Sequence, residues 1–430
     1  MTTDLRTTFT VRQDRRYIRH TAHSQRFAVA RIEAPRAIGS RGRPPVNLAI
    51  VLDRSGSMSG PKLEIAKRAV EEALARLASD DRFSIVVYDD RVDVVVPSTL
   101  ATSQARETAV ERLRDVGARG STNLAEGWLR GCEQVAAHLS GDGIDRCLLL
   151  TDGLANVGIT DPGELASHAS ALRARGVSTT TFGVGSDFDE RLLTDLADAG
   201  GGHFYYIADA PQIRDAITSE VGETLEIVAR DVVIDITARD DIRIDAITPQ
   251  RVVRQGGRLL VPVGDLGSEQ VVEVVLRLSF PYGELRQETG VILGLVDRDG
   301  VLAPVGVAEP TRLSWTYADH RTNDDQARDP EVDRVVARIF AARARQEAVG
   351  LNRDGHFEDA RRIVRGTGRR IREYAGRDPE LLSLVDSLAA EEAVYAAPMA
   401  EPVRKQQYYA SANLARSRDA DGRSLKRTTS

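Results

Sequence analysis

Cysteine is nearly absent: Cys132 and Cys147 are the only two in 430 residues. Both fall in stretches that read as a core helix and a core strand, so a disulfide framework is excluded and two buried thiols in a reducing compartment are expected. With neither a second cysteine pair nor a histidine cluster nearby, they also make a poor zinc site. The histidines (His20, His23, His138, His168, His203, His320 and His356) stand apart except for His20 and His23, and packing or surface roles are expected for them. No apolar run reaches the roughly 18 residues of a membrane-crossing helix. The opening residues Met1 to Arg6 lack the apolar centre of a signal peptide. A cytoplasmic protein without a membrane span is therefore expected. Charge of one sign is not in large excess: a formal net charge of -6 gives no overall case for nucleic acid or an acidic membrane as partner. Also missing are the H-E-x-x-H zinc motif, the G-x-x-x-x-G-K-[ST] phosphate loop, the G-x-S-x-G elbow and any internal repeat.

What is present is an ordinary globular composition, 42% hydrophobic and 28% charged, on a chain long enough for two or three cores. Residues 46–228 alternate strand and helix patterns, the signature of an α/β domain with a doubly wound, mostly parallel sheet. The run Val46 to Leu52 suits a strand buried on both faces. Behind Pro61, residues 62–78 carry Leu63, Ala66, Ala69, Val70, Ala73, Leu74 and Leu77 at helical spacing. Segments 82–88 and 92–96, joined by Asp89-Asp90-Arg91, read as a hairpin, which makes one edge strand antiparallel. A helix at 123–139, a buried strand at 147–151 and a helix at 162–175 follow. Strand 177–184, helix 189–199, strand 203–207 and helix 211–228 complete the domain.

Residues 229–318 change to short strands between Gly, Pro and Asp turns, as in an antiparallel β-sandwich. Residues 1–45 alternate in the same way and are expected to complete that sandwich, with the α/β domain inserted in it. Residues 330–395 return to helical periodicity in three segments, which suggests a helical bundle. The arginines from Arg361 to Arg372 read as a solvated face paired by Glu358, Asp359 and Glu373, in preference to a basic patch for nucleic acid or an acidic partner. Residues 396–430 form a polar tail, expected to be partly disordered at its end, with 405–418 docking as an extended segment.

The chemistry is concentrated at strand ends. Asp53-x-Ser55-x-Ser57 follows the first buried strand directly, placing one carboxylate and two hydroxyls in a single turn. Taken alone, such a turn is equally a helix cap. Two later segments supply more oxygen: Thr122 in the loop Gly120 to Asn123, and Asp152 in Thr151-Asp152-Gly153 at the end of a second buried strand. In α/β sheets such loops converge outside the carboxyl ends of the strands. Hard oxygen donors favour magnesium, manganese or calcium over zinc or copper. Arg54 and Met58 are given no metal role. No base is indicated beside Ser55 or Ser57, and the second Asp that a phosphoryl-transferring aspartate would need two residues after Asp53 is replaced by Ser55.

Asp53, Ser55, Ser57, Thr122 and Asp152 resemble, in order, the five positions of the metal-ion-dependent adhesion site (MIDAS) of von Willebrand factor type A (VWA) domains. Gly183-Val184-Gly185, Phe188 to Leu193 and Gly202 to Tyr206 resemble the later strands and helix of bacterial members. The flanking β segments and helical tail are similar to the group containing inter-alpha-trypsin-inhibitor heavy chains and bacterial proteins named after calcium-activated chloride channels. The resemblance covers residues 46–228 and implies a Rossmann-like fold. It also implies Mg2+ (Mn2+ or Ca2+ being possible) bound directly by Ser55, Ser57 and Thr122, with Asp53 and Asp152 acting through water or directly. Such a site keeps an open position for an Asp or Glu carboxylate of a protein partner. The expected function is thus a non-enzymatic scaffold or adaptor for metal-dependent protein–protein interaction. Two alternatives stand beside it: an accessory subunit of an ATPase, chelatase or phosphatase system, and a metal-dependent hydrolase.

Overall fold

The structure, a computed structural model, describes residues 7–37, 43–139, 141–302 and 310–427. The chain divides into two compact units: residues 39–226 form one, and residues 1–38 together with 227–430 form the other.

The discontinuous unit begins with β1 (Thr8–Gln13), β2 (Tyr17–Arg19) and β3 (Ser24–Glu33). The continuous unit then runs β4 (Val46–Asp53), a single 3-10 turn (Gly56–Met58), α1 (Pro61–Ala75), β5 (Arg82–Tyr88), β6 (Val92–Leu100), α2 (Ser103–Arg114) and α3 (Leu124–Ala136). It continues through β7 (Ile144–Thr151), α4 (Pro162–Arg173), β8 (Val177–Val184), α5 (Glu190–Gly200), β9 (Gly201–Ile207) and α6 (Ala210–Leu225). Its strands pair in the order β6-β5-β4-β7-β8-β9. Every pairing is parallel except β5 with β6, the hairpin read from the sequence.

Each residue of β4 and of β7 is buried, as their unbroken apolar runs require once helices cover both faces. Helix α3 lies across β4, β5 and β7 and approaches closely because Gly127 and Gly131 face the sheet. A Cβ on Gly127 would stand 2.4 Å from Tyr88 Cγ, and one on Gly131 would stand 2.2 Å from Val51 Cγ2. The chain leaves β4 toward β5 on one side and later returns to place β7 on the other. The carboxyl ends of β4 and β7 therefore flank a topological switch point, where open α/β sheets hold their ligands. Helix α2 was not expected from the sequence. Only Ala109 and Leu113 of its twelve residues are buried, too few to print a periodic apolar stripe.

The discontinuous unit resumes with β10 (Ile227–Ala238), β11 (Arg243–Ala246), β12 (Val253–Gln255), β13 (Arg258–Gly267), β14 (Val271–Phe280), β15 (Glu288–Val296) and β16 (Thr311–Ala318). One sheet has the order β1-β3-β14-β11 and a second β12-β13-β10-β15-β16-β2. All pairs are antiparallel except β2 with β16. Ile32 and Val274 from the first sheet share one apolar core with Ile234, Leu293 and Trp315 from the second. Five helices follow: α7 (His320–Asp324), α8 (Pro330–Arg353), α9 (Phe357–Ala375), α10 (Pro379–Tyr395) and α11 (Glu401–Ala415). Ala341, Val364, Ile371, Leu388 and Tyr395 form a core among them, and Val332, Val336 and Ile339 of α8 pack on Val29 and Val275 of the four-stranded sheet.

Two expectations for this unit meet direct observations. Arg361, Arg362 and Arg365 pair with Glu358, Asp359 and Glu392, so much of the arginine row is a neutralised, solvated face. The 405–418 segment, expected to be extended, is largely helical. Arg404, Lys405, Tyr409 and Ala412 of α11 are buried, and an Arg404–Glu401 pair one turn apart accommodates one of the charges. Beyond it Leu425 O accepts Val271 N at 2.8 Å and Arg427 Nε donates to Glu33 Oε2 at 2.7 Å, which ties the tail to the four-stranded sheet. Of the extreme end expected to be disordered, Lys426 bridges to Gln270 and Arg427 is held as above, while residues 428–430 lie outside the described residues.

Candidate metal centre

Asp53 is the last residue of β4 and has no exposed surface. Its Oδ1 accepts the Ser55 amide at 2.8 Å, which folds the D-x-S-x-S segment into a turn, and its Oδ2 accepts the Thr151 hydroxyl from β7 at 2.7 Å. Ser55 Oγ lies 3.1 Å from Ser57 Oγ, and Ser57 Oγ donates to Asp152 Oδ1 at 2.6 Å. Asp152 is 1% exposed and Thr122 is 4% exposed. Thr122 reaches the same place from the side: a Cβ on Gly153 would lie 3.3 Å from Thr122 Oγ1, and Thr122 O accepts Asn156 N at 3.3 Å. The five residues singled out in the sequence thus converge at the β4/β7 switch point.

Burial sets the protonation of the deepest of them. Removal from water pushes the Asp53 carboxyl up to about 6, against hydrogen bonds from Ser55 and Thr151 that favour the charged form, and the nearby Asp152 charge adds to the rise. A divalent cation would reverse that preference by stabilising the carboxylate.

The loops around the site are held by groups that carry no motif. Arg119 N donates to Arg54 O at 2.7 Å and Gly56 N to Gly120 O at 3.2 Å, so the Thr122 loop is laced to the D-x-S-x-S turn. Gly120 is required there: its φ is +69° and a Cβ would stand 2.2 Å from Asp90 Oδ1. The buried Asp89 carboxylate receives Arg54 Nε and Arg119 Nε, each at 2.8 Å, while Asp89 O accepts Asn123 N at 2.8 Å. Asp93 pairs with both arginines from the hairpin. Lys62, in the first turn of α1, donates to Asp152 Oδ2 at 2.5 Å. Sequence reasoning gave Asp89, Arg119 and Lys62 no role because their partners are distant in the chain and their residue types are commonplace on surfaces. Arg54, denied a metal role, does structural work as an ion-pair member.

Elsewhere in this unit His203, Glu220 and Glu223 offer ligand atoms within 4.8 Å of one another. Glu220 is already engaged: it accepts Arg146 Nη1 and Thr180 Oγ1 at 2.7 Å and Tyr205 OH at 2.8 Å, and lies 3.0 Å from His203 Nδ1. A buried arginine–glutamate pair with its remaining lone pairs satisfied is a structural lock between α6 and the sheet.

A family model described as von Willebrand factor type A domain matches residues 47–219. Residues 47–219 are a VWA domain. Two relatives share it: the uncharacterized protein YfbK of Escherichia coli (strain K12) is 34% identical over 191 residues, 44% of this chain and 33% of that protein. Inter-alpha-trypsin inhibitor heavy chain H1 of Mesocricetus auratus is 31% identical over 192 residues, 42% of this chain and 21% of that protein. The chain spans well under half the length of either relative. Among solved structures, a von Willebrand factor type A protein from Catenulispora acidiphila superposes with a TM-score of 0.69 at 18% identity, over 95% of this chain and 91% of that one. The ArnB paralog VWA2 from Sulfolobus acidocaldarius gives 0.59 at 16% identity, over 93% and 98%. These two show the fold. VWA domains are commonly protein-interaction modules with metal-dependent sites. Among the described residues no helix is long and apolar enough to cross a membrane.

Proposed function

We propose that this VWA domain holds a divalent cation at Asp53, Ser55, Ser57, Thr122 and Asp152 and uses it to capture a protein partner through an Asp or Glu carboxylate. The observation that carries the reading is the spacing of the oxygen row: 3.1 Å from Ser55 Oγ to Ser57 Oγ and 2.6 Å from there to Asp152 Oδ1. These are hard oxygen donors close enough together to share one ion, the donor type that magnesium, manganese and calcium take. Hydroxyls carry no formal charge, so the bound cation keeps much of its own and attracts an anion from outside. Ser55 and Ser57 supply direct oxygens, while Asp53 orients the turn and lends negative charge from behind. The remaining unit, read as a β-sandwich completed by both flanks of the chain and carrying a helical bundle, serves as the scaffold in a cytoplasmic adaptor. Binding, with no turnover, is the activity.

The test is metal titration followed by partner capture with Mg2+ or with chelator, comparing wild type with Asp53→Ala and Asp152→Ala. Metal binding and metal-dependent capture are both expected to be lost in the variants, with circular dichroism unchanged. Capture that survives both chelation and substitution would overturn the reading.

A further inference from the structure

Both oxygens of Asp152 are occupied from within the chain. Oδ1 accepts the Ser57 hydroxyl and Oδ2 the Lys62 ammonium, whose nitrogen also stands 3.3 Å from Ser57 O. The ammonium thus bridges the two sides of the candidate cation cradle. Its position is unusual for a lysine. Lys62 directly follows Pro61 at the start of α1, where the aligned peptide dipoles disfavour positive charge. The ion pair with Asp152 offsets that disadvantage. The partners also differ in freedom: the Asp152 side chain has no exposed surface, whereas that of Lys62 is 32% exposed on a flexible four-carbon stem. A fully buried anion is thus covered by a cation whose stem is partly in solvent.

We propose that Lys62 is a tethered competitor of the divalent cation, a built-in positive charge that shares Asp152 with the metal and sets the concentration at which the site loads. The proposal rests on the metal-site reading above. Two cations served by one buried carboxylate repel each other within a few ångströms in a medium far less polarisable than water. Whatever the metal gains on Asp152 the ammonium must give up. A partner that draws Lys62 aside with an acidic group of its own would load the site at lower metal concentration, which couples partner capture to metal uptake.

The test is Mn2+ titration of the full chain by calorimetry, on wild type, Lys62→Met, Lys62→Gln, Lys62→Arg and Asp53→Ala, with circular dichroism as a fold check. Lys62→Met and Lys62→Gln are expected to bind Mn2+ about tenfold more tightly than wild type or better, while Lys62→Arg, which keeps the charge, gains nothing. If wild type binds, Asp53→Ala does not, and the neutral variants bind with wild-type affinity or more weakly, Lys62 is a support for Asp152 and the proposal falls with the site reading intact. If wild type and Asp53→Ala behave alike, the site reading itself fails and takes this inference with it.

Discussion

Thr151 and Asp53 are joined across neighbouring strands, the Thr151 hydroxyl donating to Asp53 Oδ2 at 2.7 Å. With the Ser55 amide on Oδ1, each oxygen of Asp53 is held by the protein, so the carboxylate is fixed in place before any ion arrives. That preorganisation has a cost in the metal-free state, because the group is cut off from water.

The cost has a sign in pH. Burial raises the Asp53 carboxyl from its ordinary 3.8 to about 6, so the folded state prefers the protonated form. The stabilisation tied to that proton is complete below about pH 4 and is lost as pH rises through about 6. Asp53→Asn has no such titration. In chelator, the stability of Asp53→Asn relative to wild type should grow by about 2 kcal/mol between pH 4 and pH 7. Urea unfolding at four pH values measures it, and a flat difference would refute the assignment.

Thr151→Val removes the donor from Asp53 Oδ2 while keeping the shape of the side chain. The Asp53 carboxyl should rise further above about 6, and Mn2+ affinity at pH 7 should fall about threefold to tenfold. Calorimetry on the variant decides this; unchanged affinity would mean that the hydroxyl serves only to pack β7.

Asp89→Ala strips two arginines of their buried partner. Arg54 is 6% exposed and would be left with only Asp93 at the hairpin rim. A loss of about 3–5 kcal/mol is expected. Because Asp89 also orders the loops carrying Ser55 and Thr122, metal affinity should fall at temperatures where the variant is still folded. Thermal melts and metal titration separate the two effects.

Gly127→Ala places a methyl 2.4 Å from Tyr88 Cγ, in a helix packed directly on β4, β5 and β7. Either the buried ring or the helix must shift, at a cost of about 1–3 kcal/mol. A denaturation midpoint equal to wild type would show that α3 has more room than its contacts imply.

The elements legible in the sequence were those whose environment is uniform. β4 and β7 are buried at every position, so unbroken apolar runs announced them, and the turn Asp89-Asp90-Arg91 marked the hairpin. Helix α2 escaped notice because it is mostly solvated, and β2 because its three residues owe their strand character to β16, far along the chain. α11 escaped because its inward face includes Arg404 and Lys405, and burial of such residues is decided by partners that a linear pattern does not display. The candidate site follows the same rule. Asp53, Ser55 and Ser57 are local to one turn, and Asp152 repeats the strand-end pattern. Lys62, Asp89 and Arg119 acquire meaning only when three loops meet.

The pairing of β3 with β14 also bears on how the protein comes into being. β3 is complete by Glu33, yet the strand that hydrogen-bonds along its length begins only at Val271. At roughly 5–20 residues per second, a ribosome delivers that partner only after a delay on the order of ten seconds or more. The intervening VWA domain, contiguous in the chain, has its whole core in hand first. During that interval the edge of β3 that later receives β14 has no strand to pair with, so the nascent chain, more than the finished protein, is where chaperone dependence and misassembly should concentrate.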